Sequence, residues 1–270
     1  MKRREHGVAL LTALLVVALA TLAAAAMGMR DHYQIQRMEL MEEHERAWQT
    51  VRGAEEIALG MLGGHGAAYR HLPWEDDYEC RTEPVEFDMD GMTVQARVHN
   101  LHCRFNLNSL GREEPSMEAF ESLVTEMAAE SGVSAPQGLG EAIRQWMDEE
   151  AELPEYRAMD PARSSGARPL THASELLDVE GVTPAVYDAL EPWVVARPGT
   201  GNRMVVTEDA PEGVRRAMEH ELEIDASGEG IRHFDVEAHV RTEHRLYAFC
   251  TRVNAERGTV LHRQQGGCQW

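Results

Sequence analysis

The feature that most constrains this chain is a stretch of 22 residues, Val8 to Met29, that holds no ionisable side chain. As a helix it rises about 33 Å, enough to cross a hydrocarbon core of about 30 Å. Leu10, Leu11, Leu14, Leu15, Val16, Val17, Leu19 and Leu22 supply its apolarity. Lys2, Arg3 and Arg4 precede it, whereas Arg30, Asp31 and His32 nearly balance on its far side. That bias predicts a cytoplasmic N-terminus, with the bulk of the chain across the membrane. Two processing routes fit. A secretory signal is removed behind its apolar core, and Ala24 and Ala26 offer a small-x-small site that would leave a soluble chain starting at Met27. A leader cut ahead of the core, after Gly7, would keep the helix as an anchor. The length of the run, and the helical pattern that continues past it, favour the second route.

From Met29 to Leu62 the pattern stays helical. Ala47, Trp48, Val51, Ala54, Ala58, Met61 and Leu62 recur at steps of three and four, and Gly63, Gly64 and Gly66 end the helix. The expectation is one helix of about 55 residues, roughly 80 Å long, half membrane stem and half docked on a globular domain. A β unit follows. Pro84–Met89 and Met92–Leu101 flank Asp90-Gly91, a hairpin signal, with Val94, Ala96 and Val98 on one face.

Gly111 to about Gly199 has a helical texture. Ser116 is a plausible N-cap for a helix carrying Phe120, Leu123, Val124 and Met127. A second helix spans Leu139 to Met147, a loop covers Pro154 to Pro169, and short helices follow at Ala173–Leu177 and Pro184–Trp193. Beyond Gly201, Pro211–Glu221 reads as one more short helix. Strands then return, with Phe234, Val236, Ala238 and Val240 alternating, then Leu246, Ala248 and Cys250, and a third run at Thr259–Arg263. These late strands are expected to complete the sheet begun at Pro84, so that an all-α unit interrupts a β domain.

Acidic and basic residues number 46 and 26, a formal charge of -20. Such a surface repels polyanions and argues against nucleic-acid binding. Four cysteines without a CxxC pair, in an exported domain, point to disulfides rather than zinc. Of the three connectivities, turn geometry favours two local bridges. Cys80 and Cys103 lie nearly symmetrically about Asp90-Gly91, and Cys250 and Cys268 bracket Glu256-Arg257-Gly258, so Cys80–Cys103 and Cys250–Cys268 would each clamp a hairpin.

No GxSxG, HExxH or P-loop is present. Glu42-Glu43-His44-Glu45 reads as a solvated helix face, and His65 and His71 as surface histidines. Asp148-Glu149-Glu150, with Glu152 and Glu155, is a denser carboxylate cluster of the kind calcium uses, without the spacing and central Gly of an EF-hand. Leu176 to Pro184 looks like a helix-hairpin-helix turn. In other proteins that element docks DNA phosphate on backbone amides, but here it carries Asp178 and Glu180.

Several motifs in order resemble the type II secretion minor pseudopilin K family, also called general secretion pathway protein K. They are the leader ending at Gly7, Val8-Ala9-Leu10-Leu11, Phe105-Asn106-Leu107-Asn108, Trp146-Met147-Asp148, and Ser174-Glu175-Leu176-Leu177 through Gly181-Val182-Thr183-Pro184 to Tyr187 and Leu190. The resemblance implies an α+β fold: a pilin-like long N-terminal helix on an antiparallel sheet, with a large all-α insertion. It divides the chain into a leader (1–7), a transmembrane and assembly helix (8–29) and a first part of the pilin-like domain (30–110). The α-helical insertion (111–200) and a second pilin-like part (201–270) follow.

The family further implies cleavage by prepilin peptidase between Gly7 and Val8, N-methylation of Val8, and membrane and assembly roles for Leu10, Leu11, Thr12, Leu14 and Leu15. Also implied are a place in the inner membrane with a periplasmic C-terminal domain, and partnership with minor pseudopilins I and J at the pseudopilus tip. No catalytic residue, no cofactor beyond calcium and no nucleic acid is expected. Two rival readings are a DNA-uptake pseudopilin using the hairpin turn and a secreted soluble protein cleaved after Ala26. Thr12 stands where most pilins carry Glu, as is typical of the K protein. The stretch from Gly201 to Ala217 is brief, with Val205-Val206-Thr207 a remnant at most, which resembles a shortened member.

Overall fold

The computed structural model describes residues 3–62, 72, 74–75, 78–111, 115–151, 153–158, 162–198, 210–218 and 231–268. The Gly63, Gly64 and Gly66 stop, His65, His71, Glu152 and Val205–Thr207 lie outside them. The chain divides into two compact units, residues 1–50 and 51–270.

Helix α1 runs from Arg3 to Leu62, 60 residues without a proline, so it begins inside the basic leader rather than at Val8. In the first unit it exposes the apolar run from Leu10 to Met29. Leu10, Leu11, Leu14 and Leu15 are each more than half exposed, which water penalises and a lipid or protein surface would not. It is long and apolar enough to cross a membrane once.

The second unit holds the last turns of α1 and a sheet with strand order β1-β2-β4-β7-β8-β9, β3 pairing alongside β2 on β4. The strands are β1 (Trp74–Glu75), β2 (Tyr78–Thr82), β3 (Val85–Met89), β4 (Met92–Asn100), β7 (His233–Arg241), β8 (Leu246–Asn254) and β9 (Thr259–Gln265). The strands β1 and β2 precede the expected start at Pro84. All pairings in this sheet are antiparallel. Asp90 and Gly91 take φ of 52° and 77°, the left-handed pair a two-residue hairpin demands. The late strands do complete the early sheet: β4 pairs with β7 from Thr93↔Arg241 to Asn100↔Phe234.

Ala58 and Leu62 of α1 pack on Val98, Phe234, Val236 and Val253 of this sheet. A Cβ at Gly53 would stand 3.1 Å from Met89 Sδ, so glycine lets the helix pass close over the hairpin. Within this layer Glu55, 2% exposed, accepts bonds from Arg263 (Nη2 at 2.8 Å) and from Thr251 Oγ1 at 2.5 Å. Disulfides join Cys80 to Cys103 and Cys250 to Cys268.

Between β4 and β7 lies the helical unit: α2 (Pro115–Glu130), α3 (Leu139–Met147), α4 (Pro154–Ala158), a 3-10 turn at Ala173–Asp178, α5 (Pro184–Leu190) and α6 (Glu212–Met218). Ser116 therefore sits inside the first turn of α2 rather than capping it. Part of the expected Pro154–Pro169 loop is helical, and α5 gives way to a 3-10 turn at Glu191–Trp193. Its core draws in Phe105, Leu107 and Leu110 ahead of residue 111, and Ala210 and Val214 after residue 200.

Replacing Glu55 by Ala would leave Arg263 and Thr251 facing an apolar layer without their acceptor. Because Arg263 keeps a third of its side chain in water, the expected loss is about 2–3 kcal/mol rather than the full cost of breaking a buried pair. Thermal unfolding should show a midpoint several degrees lower, and an unchanged midpoint would assign Glu55 no anchoring role.

Candidate functional site

Where the helical unit leaves and rejoins the sheet, polar side chains replace apolar ones. Phe105-Asn106 forms β5, which pairs in parallel with Val194-Val195, β6. Two strand residues are too few to hold such a junction, and the two asparagines extend the pairing. Asn106 Oδ1 accepts the Arg197 N–H at 2.9 Å. Asn108 donates through Nδ2 to the carbonyls of Leu170 (2.9 Å) and Arg197 (2.8 Å), and its Oδ1 accepts the Leu170 N–H at 2.8 Å. One amide side chain thus satisfies three backbone groups on two other segments, giving the Phe105–Asn108 motif a physical reason.

Arg252 and Asp235 bind this junction to the sheet. The guanidinium pairs with the carboxylate through Nε (2.9 Å) and Nη2 (3.0 Å), and Nη1 donates to the Ala196 carbonyl at 2.6 Å. Beside them His102 Nδ1 lies 2.5 Å from Arg197 Nη1, and its ring stacks on His233 with centroids 5.8 Å apart. Burial, with Arg197, Arg232 and Arg252 nearby, pushes His233 down to about 3, and burial likewise lowers Arg197 to about 9. Burial also lowers His99, although Glu237 lies 3.2 Å away, and lowers His172.

Two other motifs serve the same unit. His172 caps the 3-10 turn by accepting the Ser174 N–H, while Glu175 reaches back to the His172 N–H. Trp146 packs on Tyr156, and Gly166 closes over it so tightly that a Cβ would meet the indole Nε1 at 2.7 Å. In the hairpin turn, Gly181 takes φ of 85°. The Glu180 N–H donates to Tyr156 Oη at 2.8 Å and the Val182 N–H to Val179 O at 3.2 Å, so two amides of this turn are committed within the fold.

The other residues singled out from sequence are dispersed. Gly7 lies in helical backbone with Val8, Thr12 is exposed with the leucines around it, and Asp148, Glu149 and Glu150 are exposed after α3. Asp148 Oδ1 accepts the Glu150 N–H at 2.9 Å, an Asx turn rather than three oxygens converging on a cation. Among the described residues, one trio of ligating types comes within 4.8 Å, Asp235, Cys250 and Cys268, and there both sulfurs are in the disulfide. As placed, the carboxylates of 148–150 do not fit a calcium cage. Sequence reasoning singled out Asn106 and Asn108 only as part of a resembling motif, without a structural role, and missed His102, Asp235 and Arg252. The local signal was an Asn-x-Asn repeat after a strand, without a partner to name.

Asn108→Ala should cost about 2–3 kcal/mol, since three backbone groups lose a partner in a half-buried place, whereas Asn→Ala at an exposed loop costs little. A second expectation concerns acid. The unfolded chain protonates His233 near its ordinary value of 6.5, the folded chain only near 3. Stability tied to neutral His233 is therefore complete above pH 6.5 and is lost as pH falls toward 3. Between pH 7 and pH 5 it should amount to about 2 kcal/mol. Denaturant melts of the parent and His233→Gln would check this, with the variant showing the shallower pH slope.

The domain model of type II secretion system protein K matches residues 103–199. The chain is 28% identical over 235 residues to the type II secretion system protein K of Pseudomonas aeruginosa, covering 80% of this chain and 67% of that protein. It is 26% identical over 215 residues to a putative type II secretion system protein K of Escherichia coli, covering 74% and 65%, and 27% identical over 212 residues to the Klebsiella pneumoniae protein, covering 73% and 64%. The chain thus spans about two thirds of the length of these curated relatives. Its fold is similar to a chain in a solved GspK–GspI–GspJ complex from enterotoxigenic Escherichia coli. The TM-score is 0.65 at 16% identity, over 86% of this chain and 100% of that one. The asparagine-stitched helical unit is the segment the domain model recognises, and over it the chain is similar to type II secretion system protein K.

Proposed function

We propose that this protein is a membrane-anchored minor pseudopilin that joins minor pseudopilins I and J in a complex initiating and capping the pseudopilus, in support of export of folded proteins across the outer membrane. The observation that carries the reading is the combination, in one chain, of an exposed apolar helix behind a basic leader with a helical unit that the protein K domain model matches. Prepilin peptidase would cut between Gly7 and Val8, and Val8 would become the N-methylated terminus. Leu10, Leu11, Thr12, Leu14 and Leu15 would lie first in the inner membrane and later against partner helices, with the N-terminus cytoplasmic and the folded unit periplasmic.

Thr12 supports a terminal place. A carboxylate at that position is costly in an apolar filament core unless a neighbouring subunit supplies a positive partner. A subunit with no neighbour above it gains nothing from that carboxylate. The role is structural rather than catalytic. Calcium at Asp148, Glu149 and Glu150 would require those side chains to regroup around the ion. A DNA role for the hairpin turn is disfavoured by its bonded amides and by Asp178 and Glu180.

The N-terminal sequence and intact mass of the protein from an envelope fraction provide the test. The expected result is a chain starting at Val8 and carrying an added methyl group, with the Gly7→Val variant retaining its leader. A chain starting at Met27 would remove the anchor and overturn the proposal.

A further inference from the structure

The charges that follow the apolar run of α1 nearly cancel in number, but the helical period separates them by face. At about 100° per residue, Arg30 and Arg37 point within about 20° of each other, and Tyr33 and Gln34 flank the line between them. Asp31 lies about a quarter turn round from that stripe, and Glu39 faces away from it. A shallow hollow along the stripe is lined by Ala26, Met29, Arg30, Tyr33, Gln34 and Arg37. All six are exposed, Tyr33 to 70%. Every residue of α1 from Leu10 to Leu62 is described, so no undescribed neighbour along the helix enters this face. Among the described residues neither guanidinium has an ion-pair or hydrogen-bond partner, whereas Arg46, farther along the same helix, is paired with Glu42.

We propose that this face of α1 is a docking site for the phosphate headgroup of an anionic phospholipid. The inference rests on the reading of α1 as a membrane anchor. Counted from Met29, Arg30 rises about 1.5 Å, Tyr33 about 6 Å and Arg37 about 12 Å beyond the apolar run. The polar layer of one leaflet is about 5–8 Å thick, so Arg30 and Tyr33 lie within it and Arg37 just outside. Side chains of a helix lean toward its N-terminus, here toward the membrane, which brings the long Arg37 arm back to the phosphate level. Two guanidinium forks then meet phosphate oxygens from one face in two-point geometry. Tyr33, beside them, has the apolar ring and polar tip that settle at such an interface. A zwitterionic headgroup brings its own cation to the phosphate, so an anionic one is the better match. A protein of charge -20 gives free anions no long-range attraction. Lipid phosphate needs none, because the anchor itself holds the stripe at the headgroup layer.

The test places the full chain in nanodiscs of equal phosphatidylglycerol and phosphatidylcholine and counts the lipids it retains by native mass spectrometry. Lys2→Gln, Arg3→Gln and Arg4→Gln are present throughout, so that the basic leader draws no lipid. Phosphatidylglycerol should be retained about tenfold over phosphatidylcholine. In the double variant Arg30→Gln, Arg37→Gln that preference should fall below about twofold. The double variant Arg46→Gln, Arg52→Gln removes the same charge from exposed positions farther along α1 and should keep the parent preference, as should the parent in excess inorganic phosphate. Equal retention of the two lipids, equal loss in the Arg46 and Arg52 variant, or displacement by inorganic phosphate would each overturn the lipid site and leave the anchor reading in place. A chain that does not enter the nanodiscs would overturn both.

Discussion

An insertion between two neighbouring strands of a sheet must leave and return at the same place. Here Asn100, the last residue of β4, is paired with Phe234 near the start of β7, so the whole helical unit is suspended from a point only one strand spacing wide. Everything else about the second unit follows from that constraint. The two crossing segments need their own backbone partners at a position where no further strand is available. The asparagines of Phe105–Asn108 provide them, and the short parallel pair of β5 and β6 sets their register.

The junction is polar because backbone groups that leave a sheet must still be satisfied. Arg252 satisfies two carbonyls of the helical unit while its charge is held by Asp235 on the adjacent strand. Such a buried pair contributes little net stability compared with an apolar substitute. It does fix position, since the fork geometry accepts one arrangement of Ala196 and Thr171 relative to the sheet. Concentrating Arg197, Arg232 and Arg252 around His102 and His233 has a further effect. The His233 imidazole stays neutral, and its protonation as pH falls acts on the unit at its attachment point.

The large elements were legible because they obey strong periodicities. The apolar helix, the Asp90-Gly91 hairpin with its left-handed pair, and the return of alternating strands after Phe234 could all be read from spacing alone. What escaped depends on tertiary partners. The pairing of β5 with β6 joins residues 89 positions apart, and two-residue strands have no period. Helix α6 was visible as a short helix, yet only packing shows that Ala210 and Val214 belong to the helical core. The 3-10 turn after His172 was read as a helix, because its capping box is shared by both. Asp235 and Arg252 sit on alternating strands where a charged residue ordinarily faces water; only the docked unit turns that face inward.

This arrangement also says which parts of the unit can vary. Asn106, Asn108, Leu170 and Arg197, which carry the stitching bonds, all lie inside residues 103–199, and α6 closes the core from outside that segment with Ala210 and Val214. Substitutions that spare those residues leave intact both functions of the insertion's base, attachment to the sheet and closure of the helical core.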